Sequence, residues 1–217
     1  SDNVDANKGS QVDEADARDK NSFLDRHDKS GAVRNDIIDE SVLNCSLDGW
    51  SLEEKLGQLL WIGVKRPEDI LKFKPAGVVL FKWNYKNLKQ LQTFNWALQE
   101  VARKNLKAPL FIGIDHEGGK INRLGQALTP FPDASSMGTV KDPELVYQVG
   151  KIMGSELSAL GINTNLAPVL DLGDGRTFLE NRIWGQDPAD VSLRTEKFIQ
   201  GLKDGGVMPV PKHFPGH

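Results

Sequence analysis

With 217 residues, 39% of them hydrophobic and 26% charged, the chain has room for one domain with a sizeable core and the composition of a soluble globular protein. A net charge of −3 gives no general electrostatic reason to expect nucleic acid or an anionic membrane as partner. The single cysteine, Cys45, excludes a disulfide within the chain, and the longest apolar runs, such as residues 77–81, are far too short to span a bilayer.

Residues 1–46 differ from the rest. They carry eleven acids against six bases, few apolar residues and no sustained periodicity. Such a stretch cannot bury enough surface to offset the entropy of ordering it, so it reads as a disordered or loosely packed polar tail, with a short packed helix at 35–43 as the alternative. The chain opens on Ser1 rather than Met, so a leader or lipid anchor ahead of it is neither shown nor excluded.

Order is predicted from residue 47 onward. Ser51 and Glu54 form a capping box ahead of Leu56, Leu59 and Leu60. Segments 60–64 and 77–81 read as short buried strands. Residues 87–104 read as a helix with Leu88, Leu91, Phe94, Leu98 and Val101 along one face. Segment 109–114 is an uninterrupted apolar strand. A helix is predicted at 142–160 with Leu145, Val149, Ile152 and Leu160 inward, stopped by Gly161. A strand at 165–170, a helix at 190–203 and a last strand at 207–211 complete the pattern. Apolar strands separated by amphipathic helices mean a parallel sheet covered on both faces, an α/β chain.

Charged residues follow the strands at once. Asp115 follows 109–114, Asp171 follows 165–170, and Lys212-His213 follow 207–211. That edge is where parallel sheets and barrels place their ligands. About five strands fit either the first part of an eight-stranded barrel or a doubly wound sheet, but neither G-x-G-x-x-G nor G-x-x-x-x-G-K-[ST] is present.

Asp115 leads into His116-Glu117-Gly118-Gly119, and Arg123 lies eight residues beyond it. A carboxylate that accepts and a guanidinium that donates suit a vicinal diol; a structural ion pair capping the loop fits the spacing equally. His116 and Glu117 are expected to turn away from a ligand. Arg182, on the loop after Asp171, is placed to close over one, although a solvated loop arginine reads the same way. His213 and His217 have the i, i+4 spacing of a zinc pair on a helix. Pro215 and Gly216 between them make a helix implausible, and no metal is expected. Cys45 has no basic neighbour to activate it, and no G-x-S-x-G elbow appears.

Taken together, GIDHEGGKINRLG, TPFPDASSMG, GINTNLAPVLDLG, ENRIWGQDP and KHFPGH resemble the catalytic barrel of glycoside hydrolase family 3, from about Ser51 to the last residue. Pro-Gly-His after Lys-His points to the bacterial β-N-acetylglucosaminidase (β-hexosaminidase) branch. The resemblance implies a (β/α)8 TIM-type barrel of which about five strands are present. It implies hydrolysis of terminal non-reducing β-N-acetylglucosamine from cell-wall (peptidoglycan) fragments by a retaining mechanism. Asp115, Arg123, Arg182, Lys212 and His213 fall on the family's substrate-binding positions, with Asp171 and His217 holding the Lys-His end in place. The nucleophile and the histidine acid/base are expected beyond His217, so that no catalytic residue lies within this chain and the chain alone is expected to be inactive. The partner is then a GlcNAc-containing carbohydrate, and no metal or organic cofactor is required. A non-catalytic sugar-binding module and a β-glucosidase or xylosidase of the same family are the alternatives. For location, cytoplasmic recycling and export with a lipid tether both fit a bacterial member, the polar tail leaning toward export.

Overall fold

The computed structural model describes residues 46–173 and 179–217. Apart from Ser46, the segment read as a polar tail lies outside the described residues, as do the alternative helix at 35–43 and Cys45.

The capping box forms as expected. The Ser51 hydroxyl accepts from the Glu54 amide at 3.2 Å and the Glu54 carboxylate accepts from the Ser51 amide at 2.9 Å, opening α1 (Leu52–Gly57). The chain continues through β1 (Trp61–Ile62), α2 (Ile70–Phe73), β2 (Gly77–Leu80) and α3 (Leu88–Asn105) to β3 (Phe111–Ile114). A small hairpin follows, β4 (His116–Gly118) and β5 (Ile121–Asn122), and then α4 (Ala134–Gly138) and α5 (Pro143–Ala159). Last come β6 (Thr164–Asn165), α6 (Pro188–Asp204) and β7 (Met208–Pro209). Asn87, Asp142 and Asp187 cap α3, α5 and α6 with their side chains.

Strands β1-β2-β3-β6-β7 form one sheet in that order, every pair parallel. Spatial order follows chain order and helices fill the connections, the winding of a β/α barrel. Several strands are shorter than predicted. The segment expected at 165–170 becomes the two-residue β6 and a lone bridge between Val169 and Lys212, with Pro168 between them. Proline has no amide to donate to a ladder, and the same limit applies at Pro209 and Pro211.

The core lies between sheet and helices, with Val78, Leu80, Leu91, Leu98, Ile112, Ile114 and Phe198 essentially inaccessible. On the other face of the sheet Trp61 stacks on Phe111 (centroids 5.6 Å apart) and lies across two glycines. A Cβ on Gly77 or Gly113 would come within 2.7 or 2.6 Å of its indole.

The inward face of α5 is only partly the one predicted. Leu160 is buried and Val149 packs against the core as expected, but Leu145 and Ile152 are about half exposed, whereas Val146, Gly150, Met153, Gly154 and Leu157 are buried. The reason is a close seam with α6. A Cβ on Gly150 would stand 2.5 Å from the Phe198 carbonyl oxygen, and one on Gly201 would stand 2.2 Å from that of Tyr147. Backbone packs on backbone there, so the apolar side chains flank the contact instead of filling it.

Candidate functional site

Asp115 leaves the C-terminal end of β3, and the chain turns back at once through the β4–β5 hairpin. Gly118 and Gly119 make that turn with φ of 94° and 54°, a region closed to most side chains. A Cβ on Gly118 would also lie 2.3 Å from the Pro132 carbonyl oxygen. The turn returns Arg123 beside Asp115, its Nη2 3.8 Å from Oδ2. The Tyr85 hydroxyl donates to the Arg123 carbonyl from the loop after β2.

Lys212 arrives from the far side of the sheet. Its amide donates to the Pro168 carbonyl at 2.9 Å, which fixes the backbone at the bridge to Val169. Its ammonium lies 2.7 Å from Asp115 Oδ1 and 2.7 Å from Glu117 Oε1. Groups 97 residues apart in sequence thus meet at the rim that the strand-end pattern singled out.

Sequence reasoning set Glu117 behind the ligand-facing residues, in a supporting or loop-packing role, but did not foresee its partners: its carboxylate, 5% exposed, lies against Arg182 and Lys212. It accepts from Arg182 Nε at 2.8 Å and Nη2 at 2.9 Å, a bidentate pair, as well as from Lys212. The hydrogen bonds that Arg182 donates to Glu117 outweigh desolvation and raise the pKa of its guanidinium above the ordinary value. Arg182 is therefore pinned by a buried partner. Strand alternation was the available signal: in Asp115-His116-Glu117 the two acids share a face and the histidine takes the other. His116 does turn into the core, fully buried, edge-on to Phe131.

Asp171 gathers the last segment. His213 Nδ1 lies 2.5 Å from Oδ2, and the His217 amide donates to Oδ1 at 2.9 Å. Burial opposes ionisation of this carboxyl, but the bonds from His213 and His217 prevail and hold its pKa below the usual value. The His213 and His217 rings meet edge to face at 4.8 Å. A hollow of about 550 Å³ opens here, lined by Asp171, Lys212, His213 and His217 among others. Lys212 belongs both to this hollow and to the ion-pair cluster with Asp115, so all seven predicted positions fall in two adjoining groups. The Arg123 Nε is buried and makes no hydrogen bond among the described residues.

Residues 51–217 match the N terminal domain of glycosyl hydrolase family 3. The chain belongs to glycosyl hydrolase family 3. A β-hexosaminidase of Hydrogenovibrio crunogenus is 35% identical over 158 residues, 69% of this family 3 chain and 43% of the relative. A family 3 β-N-acetylglucosaminidase from a Paenibacillus species shares 34% identity with a TM-score of 0.73, over 77% of this chain and 34% of that one. NagZ from Neisseria gonorrhoeae, solved in complex with N-trifluoroacetyl-D-glucosamine, shares 29% identity with a TM-score of 0.67, over 73% of this chain and 50% of that one. This family 3 chain thus spans 43% of the length of the curated relative from Hydrogenovibrio. Among the described residues no helix is long and apolar enough to cross a membrane.

Proposed function

We propose that residues 47–217 supply the sugar-holding part of a β-N-acetylhexosaminidase site, taking the terminal β-N-acetylglucosamine of cell-wall fragments. Asp115 accepts from ring hydroxyls, while Arg123, Lys212 and His213 donate to them and Arg182 sets the edge of the pocket. The observation that carries this reading is the meeting of Asp115, Lys212 and Arg123 at one rim, with a buried Arg123 donor that has no partner among the described residues. A sugar hydroxyl is the kind of group that fills such a donor, because an unpaired buried N–H is costly. The names of the relatives support the choice of N-acetylglucosamine over other sugars.

Hydrolysis with retention needs a nucleophile and a proton donor on opposite faces of the ring. Asp115, Glu117 and Asp171 are each engaged by cations or by His213 and backbone donors, which suits holding and aiming better than attack. The reacting groups therefore come from elsewhere in the protein. The residues described act by positioning the ring and by hydrogen bonds that tighten as it distorts.

Calorimetric titration with N-acetylglucosamine and glucose, together with turnover of a chromogenic β-N-acetylglucosaminide, tests this. N-acetylglucosamine is expected to bind in preference to glucose, Lys212→Ala to weaken it at least about tenfold, and the 217-residue chain alone to release no chromophore. Equal binding by Lys212→Ala would sink the assignment of the subsite. Turnover by the isolated chain would refute the division of roles, and a preference for glucose would move the reading to a β-glucosidase.

A further inference from the structure

We infer that Phe81 and Trp83, on the loop after β2, form a stacking platform for a second pyranose, the unit joined to the ring held over Asp115; the inference rests on the sugar-binding reading above. Position comes first. Leu80 is the register partner of Ile114, so Phe81 stands beside Asp115 on the neighbouring strand. The Trp61 indole covers both Gly77 and Gly113, which places those two on one face of the sheet. Side chains alternate along a strand, so Phe81 and Asp115 share that same face.

The platform is also built. The two rings stack with centroids 5.5 Å apart and planes 12° apart. They settle against the end of β1 at Gly63, where a Cβ would lie 3.3 Å from the Phe81 ring and 3.5 Å from the Trp83 ring. The Phe81 amide donates to Asn84 Oδ1 at 2.8 Å, and the Asn84 amide group donates to the Val64 carbonyl at 2.7 Å from a buried position. Tyr85 ties the same loop to Arg123. Loop tips that merely face solvent are rarely fixed at so many points. Yet Trp83 remains 56% exposed, an indole stacked on Phe81 and left open to solvent.

A pyranose has a face of C–H bonds ringed by hydroxyls. An aromatic ring covers that face and gains its hydrophobic surface, while the hydroxyls stay in water or find polar partners. The ring over Asp115 is held by charges, so its neighbour is the unit that needs an apolar support.

The test uses the full-length protein and two ligands: N-acetylglucosamine, and a β-1,4 disaccharide of it joined through sulfur so that it is not cleaved. Wild type is expected to bind the disaccharide more tightly. Trp83→Ala is expected to weaken the disaccharide about tenfold, a loss typical of truncating an interfacial aromatic, and to leave the monosaccharide unchanged. Trp83→Phe is expected to keep most of the disaccharide affinity. Equal losses for both ligands would place the indole on the first ring and overturn the inference, as would no loss for either. Failure of the underlying reading looks different: wild type then binds neither ligand, or Lys212→Ala binds the monosaccharide as well as wild type does.

Discussion

His116 offers a measurement in which one side chain can be read against the whole fold. Its ring is fully buried and neither ring nitrogen has a hydrogen-bond partner among the described residues. Burial disfavours the charged form and lowers its pKa from 6.5 to about 4. In the unfolded chain the ring takes up a proton near the ordinary value; in the native state it does so only near the lowered one. The unfolded state therefore binds more protons across that interval, and stability falls as the medium is acidified through it. A gap of this size corresponds to about 3 kcal/mol, since one pKa unit is about 1.4 kcal/mol. Above roughly pH 6.5 the group contributes no pH dependence, and below the native pKa its contribution is flat. Carboxylates such as Asp171 also lose their partners in acid, so wild type alone cannot isolate the histidine. His116→Gln and His116→Leu can. Urea unfolding followed by tryptophan fluorescence at several pH values between about 7.5 and 4.5 gives the difference curve. Each variant is expected to gain about 2–3 kcal/mol relative to wild type over that range, whatever its stability at neutral pH. Parallel curves for wild type and both variants would refute a buried neutral ring.

Glu117→Gln removes a charge from beneath Arg182 and Lys212 while keeping the shape. Breaking one partner of a buried pair is expected to cost about 3 kcal/mol, seen as a lower urea midpoint, and to raise KM in the full-length protein more than Arg182 loss alone. Gly201→Ala drives a Cβ to within 2.2 Å of the Tyr147 carbonyl oxygen and is expected to cost about 3 kcal/mol. Gly185→Ala, whose new Cβ would meet only Val191 Cγ2 at an ordinary 3.5 Å, is expected to be nearly silent; equal effects in the same unfolding assay would dispose of the seam argument.

Much of this molecule is legible in the chain because its signals are local. Ser51 with Glu54, and Asn87 and Asp142 at the starts of helices, announce themselves by side chains that satisfy the backbone next to them, whereas α6, read from 190, is capped earlier by Asp187. The strand-end charges mark the rim for the same reason. What escaped is what depends on distant partners. The face that α5 turns inward is chosen by Gly150 and Gly154 meeting α6, and a glycine has no hydrophobicity to register in a periodic pattern. Glu117 looks like a loop acid until Arg182 and Lys212, from two remote segments, come to rest on it. The strand at 165–170 was read from apolar content, but Pro168 withholds the amide that would have extended the ladder.

Trp61 has a consequence for how a ligand meets this protein. Its indole lies over Gly113, two residues before Asp115 on the same face, and so forms a floor one layer below the carboxylate. A ligand that reaches Asp115 from the strand ends would therefore meet an indole, and not open space, one layer further in.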